Sequence, residues 1–471
     1  MFRIFRTSVS LMALATAVAL TGCQKEELME NQFNEPLASV SPLNGKAIEG
    51  QYIVVLKNGN TSVNSTSNSQ GLRISRVAAA KVRTNTIERA GIASEHINQV
   101  YEGAVNGFAA KLSDEQLAEL RKNPDVAYVE QDRVIMLTNT GKDVASGPKI
   151  RATKGKPVPT EPTPTEPTPT EPTPTEPTPT EPTPTEPTPT EPTPVEPTPT
   201  QPVPTEPAPA YTKLIPLAGE TIPWNIERVG YGDGTGKTVW VIDSGIDTDH
   251  PDLNIDLTRS ASFIYGNPSI EDGFGHGTSV AGVIAAKNNG TGMIGVAANA
   301  TVVALRVFDD AGAGTVSRAI TAVNHIVNNA KPGDVVNMSL GSGISSTLDN
   351  AVLTAAGKGV LFSIAAGNSA VDCSGASPAR VNAPGVYTIS AHDSYNKLWA
   401  SSNYGAGVDF SAPGVNVTGT NKNGGISTGL NGTSFAAPHV AGILLLRAEI
   451  LSQGVITGDK DATPDPIASL N

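Results

Sequence analysis

The sequence predicts an α/β architecture, a largely parallel sheet with helices on both faces, and three observations carry that expectation. From Gly219 onward, short apolar runs alternate with segments of helical spacing, the signature of strands joined by crossover helices. Aromatic residues make up only 5% of the chain while glycine numbers 46, which suits closely packed layers. The length, 471 residues, leaves room for a second folded unit upstream, and a smaller α+β pattern is found there.

Taken in order, residues 1–22 read as a targeting segment that stands outside the fold. Met1–Arg6 is basic, and Ser8–Leu20 is apolar but too short for a permanent membrane span. The run Leu20-Thr21-Gly22-Cys23 resembles the lipobox of bacterial lipoproteins, which implies cleavage ahead of Cys23, a lipid on its sulfur and a membrane anchor. Gln24 after the cysteine points to the outer membrane. Residues 23–50 are polar and aperiodic and read as a flexible spacer.

A strand is predicted at Gln51–Leu56, a helix at Val77–Ile92 and a second strand at Gly107–Leu112. Ser113 with Gln116 is a capping-box pattern for a helix through Leu120, Asn123-Pro124 stops it, and Val126–Glu130 is the closing strand. Residues 138–156 form a spacer. Residues 157–210 repeat Glu-Pro-Thr-Pro-Thr, and alternate prolines favour an extended polyproline linker. The remaining residues, 211–471, are the main domain. Its strands are predicted at Val239–Ile242, Val302–Val307, Val335–Met338, Val360–Ala365 and Val386–Ser390, and its helices at His276–Ala286, Val316–Asn328, Thr347–Lys358 and Ser434–Leu451. Thr463-Pro464-Asp465-Pro466 near the end is not helix-forming, so the last core element is expected to be missing or replaced.

The net charge is −12, and the nine glutamates of the repeat account for all but −3 of it. No basic face for nucleic acid is implied. Two cysteines, Cys23 and Cys373, do not make a disulfide scaffold. With Cys23 given to lipid, Cys373 reads as a free structural thiol.

Three segments carry chemistry. Val239–Gly245 is a strand ending in the carboxylate Asp243, Gly275-His276-Gly277-Thr278 opens a helix with a histidine, and Gly432–Gly442 places Ser434 before an apolar run. Locally, Ser434 reads equally well as a helix N-cap. Together with Asp243 and His276 it is a candidate nucleophile, because a serine hydroxyl needs an imidazole to take its proton and a carboxylate to orient that imidazole.

The motifs V-I-D-S-G-I-D-T-D-H-P-D-L, H-G-T-S-V-A-G, N-M-S-L-G-S, A-A-G-N, S-A-P-G-V and G-T-S-F-A-A-P-H-V-A-G resemble, in that order, those of the subtilisin family of serine endopeptidases. The resemblance spans residues 219–450 and lies nearest the proteinase K-like and bacterial subtilisin branches. It implies Ser434 as nucleophile, His276 as general acid and base, Asp243 as its orienting carboxylate and Asn368 as the oxyanion-hole amide. Ser339, Leu340 and Gly341 then form the edge that pairs with an extended peptide substrate. It implies a structural calcium ion held by the side chains of Glu220, Asp252 and Asn289 and the carbonyls of Lys287, Thr291 and Met293, donors of a kind that suits calcium. His439 and His250 are expected to be structural.

Residues 51–137, through G-F-A-A-K-L-S and V-A-Y-V-E-Q-D-R-V-I, resemble the family's inhibitor-type propeptide. That implies a ferredoxin-like fold, intramolecular inhibition, and a cut either from Met136 to Asn139, by the end of the propeptide, or near Leu217 to Gly219, which would give the family's usual N-terminus beside Glu220. The whole is expected to be a monomeric, exported zymogen acting on proteins and peptides. A cell-envelope binding or stalk protein on a catalytically dead version of the fold is the other class, and it is disfavoured because Asp243, His276, Ser434 and Asn368 are all present.

Overall fold

The computed structural model describes residues 41–57, 69–138, 211–447 and 449–471, with residues 69–75 as backbone only. The targeting segment with Cys23 and the proline-rich linker lie outside the described residues.

The upstream unit runs β1 (Ala47–Leu56), α1 (Ser69–Arg89), β2 (Ile97–Glu102), β3 (Asn106–Lys111), α2 (Asp114–Lys122) and β4 (Val126–Met136). Its strands are antiparallel, in the order β4-β1-β3-β2. The capping box at α2 forms as the sequence predicts: the Ser113 hydroxyl accepts from Gln116 N, and the Gln116 side chain accepts from Ser113 N. Two differences stand out. The strand β2 was not foreseen, and of the spacer expected through residue 50 the described part forms a turn at residues 42–45 and the start of β1. The physical reason is pairing: Val134 N donates to Lys46 O and Gly45 N to Val134 O, bonds to a partner more than 80 residues away that composition does not reveal.

The period-2 alternation of β1 sorts its side chains to two cores. Val54 and Leu56 face Phe108, Leu117, Leu120 and Val126 beneath the unit's own helices. Ile53 and Val55 face the other way and join Tyr101, Ala109, Ile135 and Leu137 in a core that belongs mostly to the main domain.

The main domain contributes β5 (Thr238–Asp243), α3 (His276–Ala285), β6 (Thr301–Arg306), β7 (Ala313–Thr315), α4 (Val316–Asn329), β8 (Val335–Met338), α5 (Ser346–Ala356), β9 (Leu361–Ala365), β10 (Val386–His392), β11 (Phe410–Pro413), α6 (Thr433–Leu446), β12 (Leu451–Val455) and β13 (Pro466–Ser469). The sheet order is β12-β13-β11-β10-β9-β8-β5-β6. Every pair in it is parallel except β12 with β13. Buried residues of α3 and α6 pack on one face and those of α4 and α5 on the other, the two-sided cover that the apolar strands require.

The predicted helix to Leu451 is corrected: α6 stops at Leu446, and Leu451–Val455 is a strand. Ile450 and Leu451 are apolar and locally compatible with helix. Pairing decides, because the exposed edge of β11 takes β13, which in turn takes β12. The last core element is therefore replaced by a strand hairpin.

Candidate active site

Three strand or helix ends converge at the carboxyl edge of the sheet, where open α/β sheets place their sites. Asp243, the last residue of β5, is fully buried and His276, the first residue of α3, nearly so. The His276 ring Nδ1 stands 2.9 Å from Asp243 Oδ1 and 3.0 Å from Oδ2, while Ser244 N donates to Oδ1 at 2.7 Å. Gly275 enters α3 with φ of 104°, a left-handed conformation glycine adopts freely.

Asp272, which sequence reading did not single out, organises this corner. Its Oδ2 accepts from Thr278 N and Thr278 Oγ1, and its Oδ1 accepts from Gly275 N and Ser244 Oγ. A carboxylate at a helix N-terminus meets donors that have no intrahelical acceptor. Burial alone would lower the His276 pKa; the Asp243 carboxylate opposes it, with Asp272 adding, and the net position lies above the ordinary histidine value.

Ser434 sits in the first turn of α6. Its backbone N–H precedes Phe435 N and Ala436 N, which both bond Gly432 O, so it belongs to the group of helix-start donors free to face a ligand. Asn368 is held by its oxygen: Oδ1 accepts from Thr433 N at 2.9 Å and from Thr433 Oγ1 at 2.8 Å. Its Nδ2 is thereby turned toward Gly432, where an added Cβ would lie 3.3 Å away. Asn368 and Ser434 line the same cavity of about 260 Å³. The Ser434 hydroxyl donates to Ser339 O at 3.3 Å, and among the described residues no Ser434–His276 hydrogen bond is made. The ring of His276 packs 5.0 Å from that of Phe435, the residue after Ser434.

One wall of the cleft is supplied by the upstream unit of the chain itself. Met136, Leu137 and Thr138 line the cavity with Ser434 and Asn368. The end of β4 pairs antiparallel with β7, Met136 opposite Ala313 and Val134 opposite Thr315, and Leu137 N donates to Gly312 O at 2.9 Å. The edge Gly312–Thr315 is thus a second peptide-binding edge that sequence reading missed; its small residues, Ala311-Gly312-Ala313-Gly314, were the available signal. On the expected edge, Leu340 and Ser339 line the cavity, while Gly341 O accepts from Asn44 Nδ2 rather than from the bound strand. Two carboxylates of β4 bond the helix starts of the main domain: Asp132 accepts from Ser317 N at 3.0 Å, and Glu130 from Thr347 N at 3.0 Å.

His439 and His250 make structural contacts. His439 Nδ1 faces Phe435 O and Nε2 faces Asn225 Nδ2, and burial lowers its pKa to about 4, so it is held neutral. His250 Nδ1 accepts from Asp252 N. Cys373 is free and buried, and burial pushes its thiol up to about 11, which removes it as a nucleophile.

The residues expected around calcium come together at the loop after α3. Glu220 Oε1 accepts from Asn289 N and Gly290 N at 2.5 and 2.6 Å, while its Oε2 is buried without a hydrogen-bond partner. Asp252 Oδ1 accepts from Asn289 Nδ2 and Oδ2 from Met293 N. Burial raises Asp252 to about 6, with the Glu220 charge contributing. Among the described residues no group of three or more His, Cys, Asp or Glu forms a metal site; the groups that meet the two carboxylates are N–H donors, and one buried oxygen, Glu220 Oε2, is left over as the atom a cation could take.

Comparison with known proteins agrees with this geometry. Residues 234–454 match the model of the Subtilase family and residues 51–138 that of Peptidase inhibitor I9. Subtilisin Savinase of Lederbergia lenta is 44% identical over 235 residues, covering 48% of this chain and 84% of that protein. An alkaline protease of Alkalihalobacillus alcalophilus is 45% identical over 235 residues, and the chain spans 60% of its length. Alkaline serine exoprotease A of Vibrio alginolyticus is 32% identical over 356 residues, 76% of this chain and 54% of that protein. Among solved structures, a cold adapted subtilisin-like serine proteinase shares 33% identity over 53% of this chain and 98% of its own, with a TM-score of 0.47. The fold and site define a subtilisin-like serine hydrolase scaffold carrying its own inhibitor-type domain. The chain belongs to the subtilase family.

Proposed function

We propose that the protein is an exported serine endopeptidase made as a self-processing zymogen, and the observation that carries this reading is the seating of Leu137 and Thr138 in the cavity of Ser434 and Asn368. Ser434 Oγ attacks the carbonyl of the bond after Thr138, as it later attacks those of protein substrates. His276 takes the hydroxyl proton on the ring nitrogen away from Asp243 and returns it to the leaving amine, while Asp243 holds Nδ1–H and steadies the imidazolium. Ser434 N–H and Asn368 Nδ2 donate to the oxyanion. Water then hydrolyses the acyl-enzyme by the same relay. Peptides bind as added strands, mainly through main-chain bonds to Gly312–Thr315 and Ser339–Gly341, which favours broad sequence tolerance.

Glu220, Asp252 and Asn289, with the carbonyls of Lys287, Thr291 and Met293, would hold calcium, which when bound supplies charge neutralisation and cross-links the loop. Cys23 would carry the lipid that ties the unprocessed chain to the membrane.

The test is Ser434→Ala in the full chain. Hydrolysis of a denatured protein and self-cleavage should both disappear, and a fluorophosphonate should label the unmutated enzyme at Ser434. Activity in the variant, or labelling elsewhere, contradicts the reading.

A further inference from the structure

The residues ahead of the inhibitor-type domain have no role in the mechanism above, yet they reach the cleft. The matched inhibitor model starts at residue 51, and Asn44 lies outside it. A turn brings it in: Asn44 N donates to Ser41 O and Lys46 N to Leu43 O. Gly45 completes the turn with φ of 76°, and a Cβ there would stand 3.0 Å from Gly343 N. The backbone is then pinned to β4 by Gly45 N to Val134 O, Val134 N to Lys46 O, and Arg133 Nη1 to Gly45 O.

From that position the Asn44 carboxamide uses both its ends. Oδ1 accepts from Met136 N at 2.9 Å, and Nδ2 donates to Gly341 O at 3.1 Å. A primary amide carries the same donor and acceptor pair as a peptide group, so the side chain stands where a further strand would stand, between β4 and the Gly341 edge.

We propose that Asn44 is a cleft-occupying inhibitory residue: its amide takes the Gly341 carbonyl that an incoming substrate strand would bond, and locks the end of β4 against that edge. The chemistry of the occupant is that of a main-chain peptide group. Asn44 and Met136 both precede the bond after Thr138, so the cut leaves them on one fragment. That fragment holds both edges of the cleft, Gly312–Thr315 by its own strand and Gly341 by Asn44, and a substrate must displace both. The inference rests on the zymogen reading, and its test is built to fail separately.

The first arm needs no catalysis. In the full-length Ser434→Ala chain, hydrogen exchange is followed by mass spectrometry in peptides covering Val134–Thr138 and Tyr128–Gln131. Adding Asn44→Ala should speed exchange at the Met136 amide about tenfold while Tyr128–Gln131 stays protected, which also shows that the domain is folded. The second arm uses the catalytically intact full chain and reads the lag between self-cleavage and hydrolysis of a small chromogenic peptide. Asn44→Ala should shorten it severalfold. Asn44→Asp, which keeps the size and the acceptor for Met136 N but has no donor for Gly341 O, should shorten it too. Unchanged Met136 exchange overturns the contact. Faster exchange with an unchanged lag in both variants overturns the inhibitory role and leaves Asn44 a strand-end residue. If the intact chain neither cuts itself nor cleaves peptide, the zymogen reading fails, and the exchange arm still decides the contact.

Discussion

His276 shows how one contact sets a pH dependence. Burial disfavours its charged form, the Asp243 carboxylate 2.9 Å away favours it, and the second effect wins, so the ring titrates above the ordinary value of 6.5. A general base must be neutral, so kcat/KM should rise with pH through a pKa above 6.5. The same shift acts oppositely on stability: the folded state binds this proton more tightly than the unfolded chain, a contribution complete below 6.5 and lost as pH rises through the raised value. A pH–rate profile on a small peptide substrate checks this, and an acid limb at or below 6.5 contradicts it. Asp243, His276 and Ser434 were legible in the sequence because each sits in a contiguous run whose flanking glycines and apolar residues mark a strand or helix end, whereas Asn368 reads locally as a turn residue after Gly367 and was picked out only through the resemblance of its A-A-G-N motif. Asp272, Thr433 and Asn44 were not legible. Each acts by orienting a neighbour or by reaching across nearly 300 residues, as from Asn44 to Gly341, and no local pattern encodes such a partner.

Among the elements, α6 carries both the nucleophile and a helix fault. Pro438 lies inside it and has no N–H for the carbonyl four residues back, which is that of Ser434. Ser339 Oγ takes that place, donating to Ser434 O at 2.7 Å and receiving Asn337 Nδ2 at 2.8 Å. Ser339→Ala removes the donor to the partly buried Ser434 carbonyl and the acceptor of the buried Asn337 Nδ2, and should cost about 1–3 kcal/mol. Adding Pro438→Ala restores a helical donor and should recover part of it, so a double-mutant cycle on urea midpoints in the Ser434→Ala background should show coupling. Strict additivity would contradict the account. The strands and helices that position the site were legible from their apolar runs, whereas β2, β12 and β13 were not, because their pairing partners rather than their own residues make them strands. The loop after α3 is a second element with a testable dependence. Asn288 exchanges bonds with the segment before Glu220, accepting from Leu217 N and donating to Ile215 O, so an ion on Glu220 and Asp252 would fasten that segment and the loop together. Since a ligand that binds only the native state stabilises it, a chelator should lower the melting temperature and resistance to autolysis more than the initial rate. An unchanged melting curve in metal-free protein would count against the ion.

In the whole molecule the order of the expected functions along the chain would couple processing to location. Cys23, the expected lipid site, precedes the inhibitor-type domain, and Asp243, His276 and Ser434 follow the linker, so one cut between them separates anchor from catalysis. Two places for that cut were open in the sequence, Met136–Asn139 and Leu217–Gly219. The packing favours the first: Thr138 lines the cavity of Ser434, whereas the stretch ahead of Gly219 is fastened to the main domain. There Tyr211 OH donates to Asn471 Oδ1 at 2.5 Å, Asp233 N donates to Thr212 O, and the Tyr211 ring covers Gly232 so closely that a Cβ there would lie 2.6 Å from it. Cutting at Leu217–Gly219 would leave those contacts joining two separate chains; cutting after Thr138 keeps them within the enzyme and leaves the proline-rich linker on it. Covalent separation is not yet release, because Ile53, Val55, Tyr101, Ile135 and Leu137 share a core with α4 and α5, and the inhibitor must dissociate or be degraded first. Fractionation of cells making the wild-type and Ser434→Ala chains, with both ends of the chain followed, should give soluble enzyme beginning at Asn139 and a lipid-bearing fragment ending at Thr138 in the membrane. The variant should remain full-length at the membrane. A mature N-terminus within Leu217–Gly219 would refute the retained linker, and active enzyme that stays one covalent chain from Cys23 to Asn471 would refute release by self-cleavage.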